Sequence, residues 1–246
     1  MSRFFIDKKN IQRDYISIVG SEAHHMGRVL RLRIHDAVTL FDQDGTVYEG
    51  KIVEKNNQCV HVQIKGKTPL VHNNAIPVVL GQSVPKGKKM DLIVQKAAEL
   101  GAASIIPFYS MRSIPRFNAK KAEEKTGHWQ KICVEAGKQS GRLPIPAVEP
   151  IQNFNELVKR SFSGFLKIIF WEEEKGRQLK VVLRQNSIPK PMFFLVGPEG
   201  GFTKEEVELA AQNGFISVSL GQTVLRTETV SIAILSIFQY ESGAFG

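Results

Sequence analysis

The sequence predicts an α/β protein in two parts, a small β-rich segment up to about residue 73 and a larger α/β segment after it. Three observations predict it. Residues 1–73 carry short alternating apolar runs separated by turn signals, the pattern of half-buried antiparallel strands. Beyond the stretch 68–77, which opens on Thr68 and Pro69 and ends on Pro77, strand-like apolar runs alternate with segments of helical period. Near the C-terminus two glycine-rich loops, 195–202 and 219–229, each follow a short apolar run and each lead into a helical pattern. The 246 residues suffice for two modest domains, with boundaries expected at 1–73 and 74–246.

In the first segment, strands are expected over 15–19, 37–41, 46–54 and 59–64, with Asp44-Gly45 and Asn56-Asn57 marking turns. One helix interrupts them, opened by Ser21 with Glu22 behind it. Such a segment reads as a small barrel. Arg28, Arg31 and Arg33 lie close together in it, where they suit phosphate. His24 and His25 read as packing or capping residues, because no acidic or cysteine partner is spaced to complete a metal site.

The second segment opens with a strand over 78–81, a helix over 89–100 closed by Gly101, and a strand over 104–108. In that helix Met90, Ile93, Val94 and Ala97 share one face. A longer helix running through residue 138 puts Trp129, Ile132, Cys133 and Ala136 on one stripe, and Trp129 is read as core. A helix from about Asn155, a strand over 165–170 and the two glycine-loop units, on strands 192–196 and 215–220, complete the series. The helix after the first loop is the best specified. Thr203 is its N-cap, Glu206 completes a capping box and Gly214 stands past its end. The last helix, over 230–240, is apolar nearly all round and is therefore buried on more than one face, in a core or against a partner.

The hydrophobic fraction of 42% and charged fraction of 23% are those of a soluble globular protein, and no apolar stretch suits a signal peptide or membrane span. Cys59 and Cys133 sit in apolar periodic segments rather than in a Cys-x-x-Cys pair. They read as two buried thiols of a reducing compartment, without disulfide or metal, and cytoplasm is the default location. The net charge of +9 points toward a polyanion, and its distribution sharpens the point. Residues 84–142 hold twelve Lys or Arg against five Asp or Glu, whereas no Lys or Arg follows Arg226. A nucleic acid is the partner such clustering favours, although runs such as Lys120-Lys121 also suit a merely solvated face. The stretch 81–89 imitates a phosphate-binding P-loop but has one residue too many between its glycines. It also has Lys89 where a magnesium-binding hydroxyl belongs, so Lys86, Lys88 and Lys89 are assigned to nucleic-acid phosphates instead.

The two late loops carry the chemistry. Ligands of open α/β sheets sit beyond the carboxyl ends of the strands, where both loops fall. Glycine admits positive φ and close approach, so two such loops can wall a pocket with main-chain donors and acceptors. The polar side chains they add are few: Glu199, Arg226, Thr227, Glu228 and Thr229. Neither loop fits the Gly-x-Gly-x-x-Gly dinucleotide fingerprint. Taken singly, the run 197–201 reads equally as a tight turn before an N-cap.

The order and spacing of these pieces, with Arg3-Phe4-Phe5, residues 25–31, 96–101, Arg112-Ser113 and 135–142, resemble the RsmE family of SPOUT-type RNA methyltransferases over nearly the full length. His128 before Trp129 and Val230 after Thr229 depart from the family's usual Arg and Ala. The resemblance implies a PUA-like β-barrel followed by a SPOUT-type domain with a deep trefoil knot. It also implies a homodimer that uses S-adenosylmethionine, without metal, to methylate N3 of a uridine in small-subunit ribosomal RNA. It places the cofactor against Leu195, Gly197, Pro198, Glu199 and Gly200 of one loop and Leu220, Gly221, Val224, Leu225, Arg226 and Thr229 of the other. Arg226 is the candidate for stabilising the uridine anion, with Glu199 or Glu228 as proton acceptor or orienting partner; Thr227 as a helix cap and Glu228 as a dipole complement are the structural alternatives. Arg3, Arg112, Arg116, Gln139 and Arg142 join Arg28, Arg31, Arg33 and the three lysines as RNA contacts. Methylation of a ribose 2′-OH or a guanine, and a non-enzymatic ribosome-assembly role, are the competing functions.

Overall fold

Alternation builds the first sheet. In the computed structural model, which describes residues 3–42, 44–56, 58–69, 76–186 and 190–245, the strands are β1 (Arg3–Phe5), β2 (Ile11–Gln12), β3 (Tyr15–Val19), β4 (Ala37–Phe41), β5 (Val47–Lys55) and β6 (Cys59–Thr68). They form one sheet in the order β1-β4-β5-β6-β3-β2, antiparallel except for β1 beside β4. Ile16 and Ile18, Val38 and Leu40, and Val60 and Val62 fill its core at alternate positions, as period two demands. The same alternation corrects one expectation: Cys59 takes the other face and is only half-buried, beside His61. Helix α1 (Ser21–His24) starts where Ser21 suggests, but Gly20 holds the N-cap position, and the chain continues into a π-turn over His25–Val29. His25 packs edge-on against Phe4. Asn57 and residues 70–75, most of the expected linker with the expected boundary, lie outside the described residues.

The second sheet is parallel throughout. Its strands are β7 (Val78–Ser83), β8 (Ser104–Tyr109), β9 (Ala147–Val148), β10 (Gln152–Asn153), β11 (Leu166–Phe170), β12 (Met192–Val196) and β13 (Phe215–Val218). They run in the order β10-β8-β7-β12-β11-β13, with β9 pairing β8. All five residues of β12 are buried, as a strand covered on both faces requires. The helices are α2 (Lys89–Glu99), α3 (Ala119–Ser140), α4 (Phe154–Leu157), α5 (Leu179–Gln185), α6 (Lys204–Gln212) and α7 (Thr227–Glu241). Thr203 and Glu206 form the expected capping box on α6. Glu206, 7% exposed, also accepts the Met111 backbone N–H at 2.7 Å, so one carboxylate caps a helix and anchors a distant loop. Trp129 is buried and donates to Asp91 at 3.2 Å. Burial alone pushes the Cys133 thiol up to about 12, which keeps it protonated and inert.

The chain divides into two compact units, Met1–Asn73 with Lys138–Ile145, and Asn74–Gly137 with Pro146–Gly246. The first unit thus includes the end of α3, where Lys138 pairs with Glu22 and lies over the Phe5 ring.

Candidate active site

Strand order brings the two glycine loops together. β12 and β13 flank β11 in a parallel sheet, so the segments leaving all three strands emerge at one edge. A cavity of about 380 Å³ lies there, within the range of small-molecule sites. Its walls are Phe170, Trp171 and Glu172 after β11, Val196 to Glu199 and Gly201 after β12, and the run from Val218 to Thr227 after β13. Lys89 and Val230 complete it.

Most of the candidate cofactor residues meet on this wall: Gly197, Pro198, Glu199, Leu220, Gly221, Val224, Leu225 and Arg226. Leu195, Gly200 and Thr229 do not. Leu195 is fully buried one residue inside the end of β12, where it packs in the core with Phe193 and Phe202. Gly200 turns its carbonyl toward Arg112, whose guanidinium donates at 2.7 Å. Thr229 is exposed on α7, away from the wall. The apolar side chains that do face the opening include Val224, 81% exposed, and Leu225. Trp171 and Phe170 were not anticipated; the first glycine after β11 is Gly176, five residues beyond Trp171, so nothing beside them marks a binding loop.

Two glycines have definite work. Gly197 lies so close to the buried Phe202 ring that a β-carbon would stand 3.2 Å from it. Gly221 has φ +124, a conformation that L side chains rarely adopt, while the space around it is open.

Beneath the loops a buried polar network fixes the start of α7. The Gln82 amide on β7 donates to Thr227 Oγ1 at 3.0 Å and to the Ser83 carbonyl at 2.9 Å, and Ser231 donates to Gln82 Oε1. Thr227 Oγ1 in turn donates to the Gly197 carbonyl at 2.7 Å. Thr227 is therefore not the cap of α7. Arg226 occupies the N-cap position with extended backbone, and the Thr227 hydroxyl ties the two loops to the sheet.

The charged residues lining the cavity are Arg226, Lys89, Glu199 and Glu172, whereas the candidate Glu228 is not on its wall. The Arg226 guanidinium makes no hydrogen bond or ion pair among the described residues, so its donors remain free for a ligand. Lys89 Nζ donates to Glu199 Oε1 at 2.7 Å and stands 3.8 Å from Glu228 Oε2, an ion-pair distance too long for a hydrogen bond. Among the described residues, Trp171 Nε1 and Glu228 Oε2 are buried without hydrogen-bond partners. A donor in that condition, on a cavity wall with exposed apolar side chains and main-chain groups, suits a ligand that is part aromatic and part polar.

The candidate RNA contacts distribute over both units. Arg28, Arg31 and Arg33 are exposed in the first, where Arg3 lies on β1 and Gln139 and Arg142 follow on 138–145. Lys86, Lys88, Arg112 and Arg116 are exposed in the second. Arg116 also donates to the Ser110 carbonyl and lies over the Tyr109 ring. Among the described residues no group of three His, Cys, Asp or Glu is placed to hold a metal ion, and no helix is long and apolar enough to cross a membrane.

Comparison with known proteins extends this picture. Residues 72–239 match an RNA methyltransferase domain family, and residues 19–65 match an RNA methyltransferase PUA domain. The sequence is 33% identical to ribosomal RNA small subunit methyltransferase E of Bacillus subtilis, across 98% of this chain and 97% of that protein. The fold is similar to a crystal structure of ribosomal RNA small subunit methyltransferase E from Neisseria gonorrhoeae bound to S-adenosyl methionine (30% identity, TM-score 0.83, 98% and 97% of the two chains). It is equally similar to a Legionella pneumophila methyltransferase with bound SAM (28% identity, TM-score 0.83, 97% and 96% of the chains).

Proposed function

The chain belongs to the RNA methyltransferase family, and from that membership we propose that it methylates N3 of a uridine in small-subunit ribosomal RNA, using S-adenosylmethionine. The observation that carries the reading is the cavity between the two loops, with the unengaged Arg226 guanidinium at its rim. The cofactor brings a methyl on a positive sulfur, already activated for displacement, so binding and in-line placement are what the protein must add. Leu220, Val224 and Leu225 supply apolar faces for an adenine, the loop backbones supply donors and acceptors for its edge, and Glu172 and Glu199 suit hydroxyl and ammonium groups.

The acceptor sets the harder demand. Uridine N3 carries a proton and lies on the Watson–Crick edge, so the base must be unpaired or flipped to reach the cavity. Arg226 stabilises the anionic charge that spreads onto the base oxygens as the proton leaves, because a guanidinium stays charged and presents several donors. Glu199 on the wall, and Glu228, buried off it within ion-pair distance of Lys89, are the carboxylates that accept that proton or orient the groups around it. Mass spectrometry of nuclease-digested ribosomal RNA, from cells with and without the gene, is expected to find one 3-methyluridine lost with the gene. A lost 2′-O-methyl or methylguanine would replace the reading by its nearest rival, and loss of no methyl group would leave an RNA-binding role.

The first unit is read as a PUA-like β-barrel and the second as a SPOUT-type domain with a deep trefoil knot, supported by the placing of β12 between β7 and β11 and by the family matches. The proposed domains are 1–73 and 74–246, with cytoplasmic ribosomal RNA as partner. A homodimer is also proposed, supported by the exposed Ile237 and Tyr240 on α7. Light scattering at micromolar concentration is expected to return twice the 27.5 kDa chain mass; the monomer mass would contradict it.

A further inference from the structure

We propose that Lys89 is a positioning residue of the methyl-transfer site, whose ammonium ties the carboxylate of the first glycine loop to the carboxylate at the start of α7. The proposal rests on the methyltransferase reading and moves Lys89 from the RNA-phosphate role that its sequence context suggests.

Lys89 is the first residue of α2, an element that contributes to neither glycine loop. It reaches the cavity wall, hydrogen-bonds Glu199 and stands within ion-pair distance of Glu228. Glu199 lies in the first loop and Glu228 on the first turn of α7, 29 residues apart in sequence by their numbers, and each would repel the other without a cation between them. The Lys86 backbone N–H, from the same turn, approaches both Glu199 oxygens at 3.2 and 3.4 Å. The start of α2 therefore grips Glu199 twice. Side-chain exposures of 33% for Lys89, 29% for Glu199 and 14% for Glu228 put the cluster half out of water, where screening weakens attraction without cancelling it.

The charge state follows from the contacts. Burial pushes the Glu199 carboxyl up, but the Lys89 hydrogen bond and backbone N–H groups outweigh it and hold the group below its ordinary value. The Glu199 hydrogen bond in turn holds the Lys89 ammonium above its ordinary value. Both stay ionised through neutral pH. The neighbouring lysines differ: the side chains of Lys86 and Lys88 are exposed and make no hydrogen bond or ion pair among the described residues, which suits phosphate.

The test compares Lys89→Met, Lys89→Gln and Lys89→Arg with the unaltered full-length protein. Calorimetry measures S-adenosylmethionine affinity from mildly acidic to neutral pH, filter binding measures RNA affinity at several salt concentrations, and circular dichroism checks the fold. Lys89→Met and Lys89→Gln are expected to bind S-adenosylmethionine about tenfold more weakly. Their affinity should also begin to fall at a higher pH on acidification, because Glu199 without its cation titrates higher. RNA affinity and its salt dependence should be unchanged, and Lys89→Arg should restore cofactor binding. Unaltered cofactor affinity in both neutral variants would overturn the proposal. So would a loss of RNA affinity with the logarithmic salt slope reduced by about one, the signature of a single phosphate contact. If the unaltered protein binds S-adenosylmethionine but methylates no RNA, the functional reading fails while the cofactor-binding arm still decides the role of Lys89.

Discussion

Replacing Arg226 by Ala is expected to slow single-turnover methylation about 10²- to 10³-fold while cofactor and RNA affinities stay within about threefold, the usual cost of removing one preorganised donor from a developing anion. The expectation rests on what the side chain does not do. Arg112 donates to the Gly200 carbonyl and Arg116 to the Ser110 carbonyl, so both are committed to holding loops in place. Arg226 lines the cavity with no such bond among the described residues, and its extended backbone at the N-cap of α7 holds it at the head of that helix. Stopped-flow or quenched methylation under single-turnover conditions, with calorimetry and filter binding in parallel, separates the cases. An unchanged rate ends the catalytic role. A loss confined to cofactor binding makes Arg226 part of the wall.

Gly221→Val is expected to weaken S-adenosylmethionine binding at least tenfold, because holding a β-branched residue near φ +124 costs about 1–3 kcal/mol and the loop relieves that strain by moving. The fold should survive, since nothing crowds a β-carbon at that position. A drop in unfolding temperature of only about 2–10 °C is expected for a chain of this size. The partner substitution Gly197→Val, which the sequence presents as equivalent, is not. Its side chain would press on Phe202, 1% exposed in the core, so lost binding there would mix site and scaffold. Calorimetry on Gly221→Val giving normal affinity would remove the second loop from the cofactor site.

The sequence told most where a single segment contains its own explanation. Thr203 and Glu206 are three residues apart and satisfy each other, so α6 could be placed from its cap alone. The alternating strands of the first sheet were legible for the same reason. Strand β1 has three residues and β9 two, too short for any period to show, and α5 was missed with them. The glycine loops announced the site, yet Leu195 was assigned to it although the strand carries that side chain into the core. The contact of Lys89 with Glu199 was not legible because the two are 110 residues apart, and a run of lysines carries no mark of which one will meet a carboxylate. Trp171 reached the wall only through strand order, which puts β11 between the two loop-bearing strands.

The Gln82, Thr227 and Ser231 network has an evolutionary consequence. Its members are separated by 145 and 149 residues from Gln82, yet each leaves another buried polar atom stranded when it is lost, at about 1–3 kcal/mol. Replacing all three together by apolar residues would still strand the Gly197 and Ser83 carbonyls, which accept from Thr227 and Gln82. A change at any one of the three positions is therefore tolerated only when the others change to suit it. Lineages in which one position differs should differ at the others too, and a chimera that takes β7 from one such lineage and α7 from the other would inherit an incompatibility that neither parent carries.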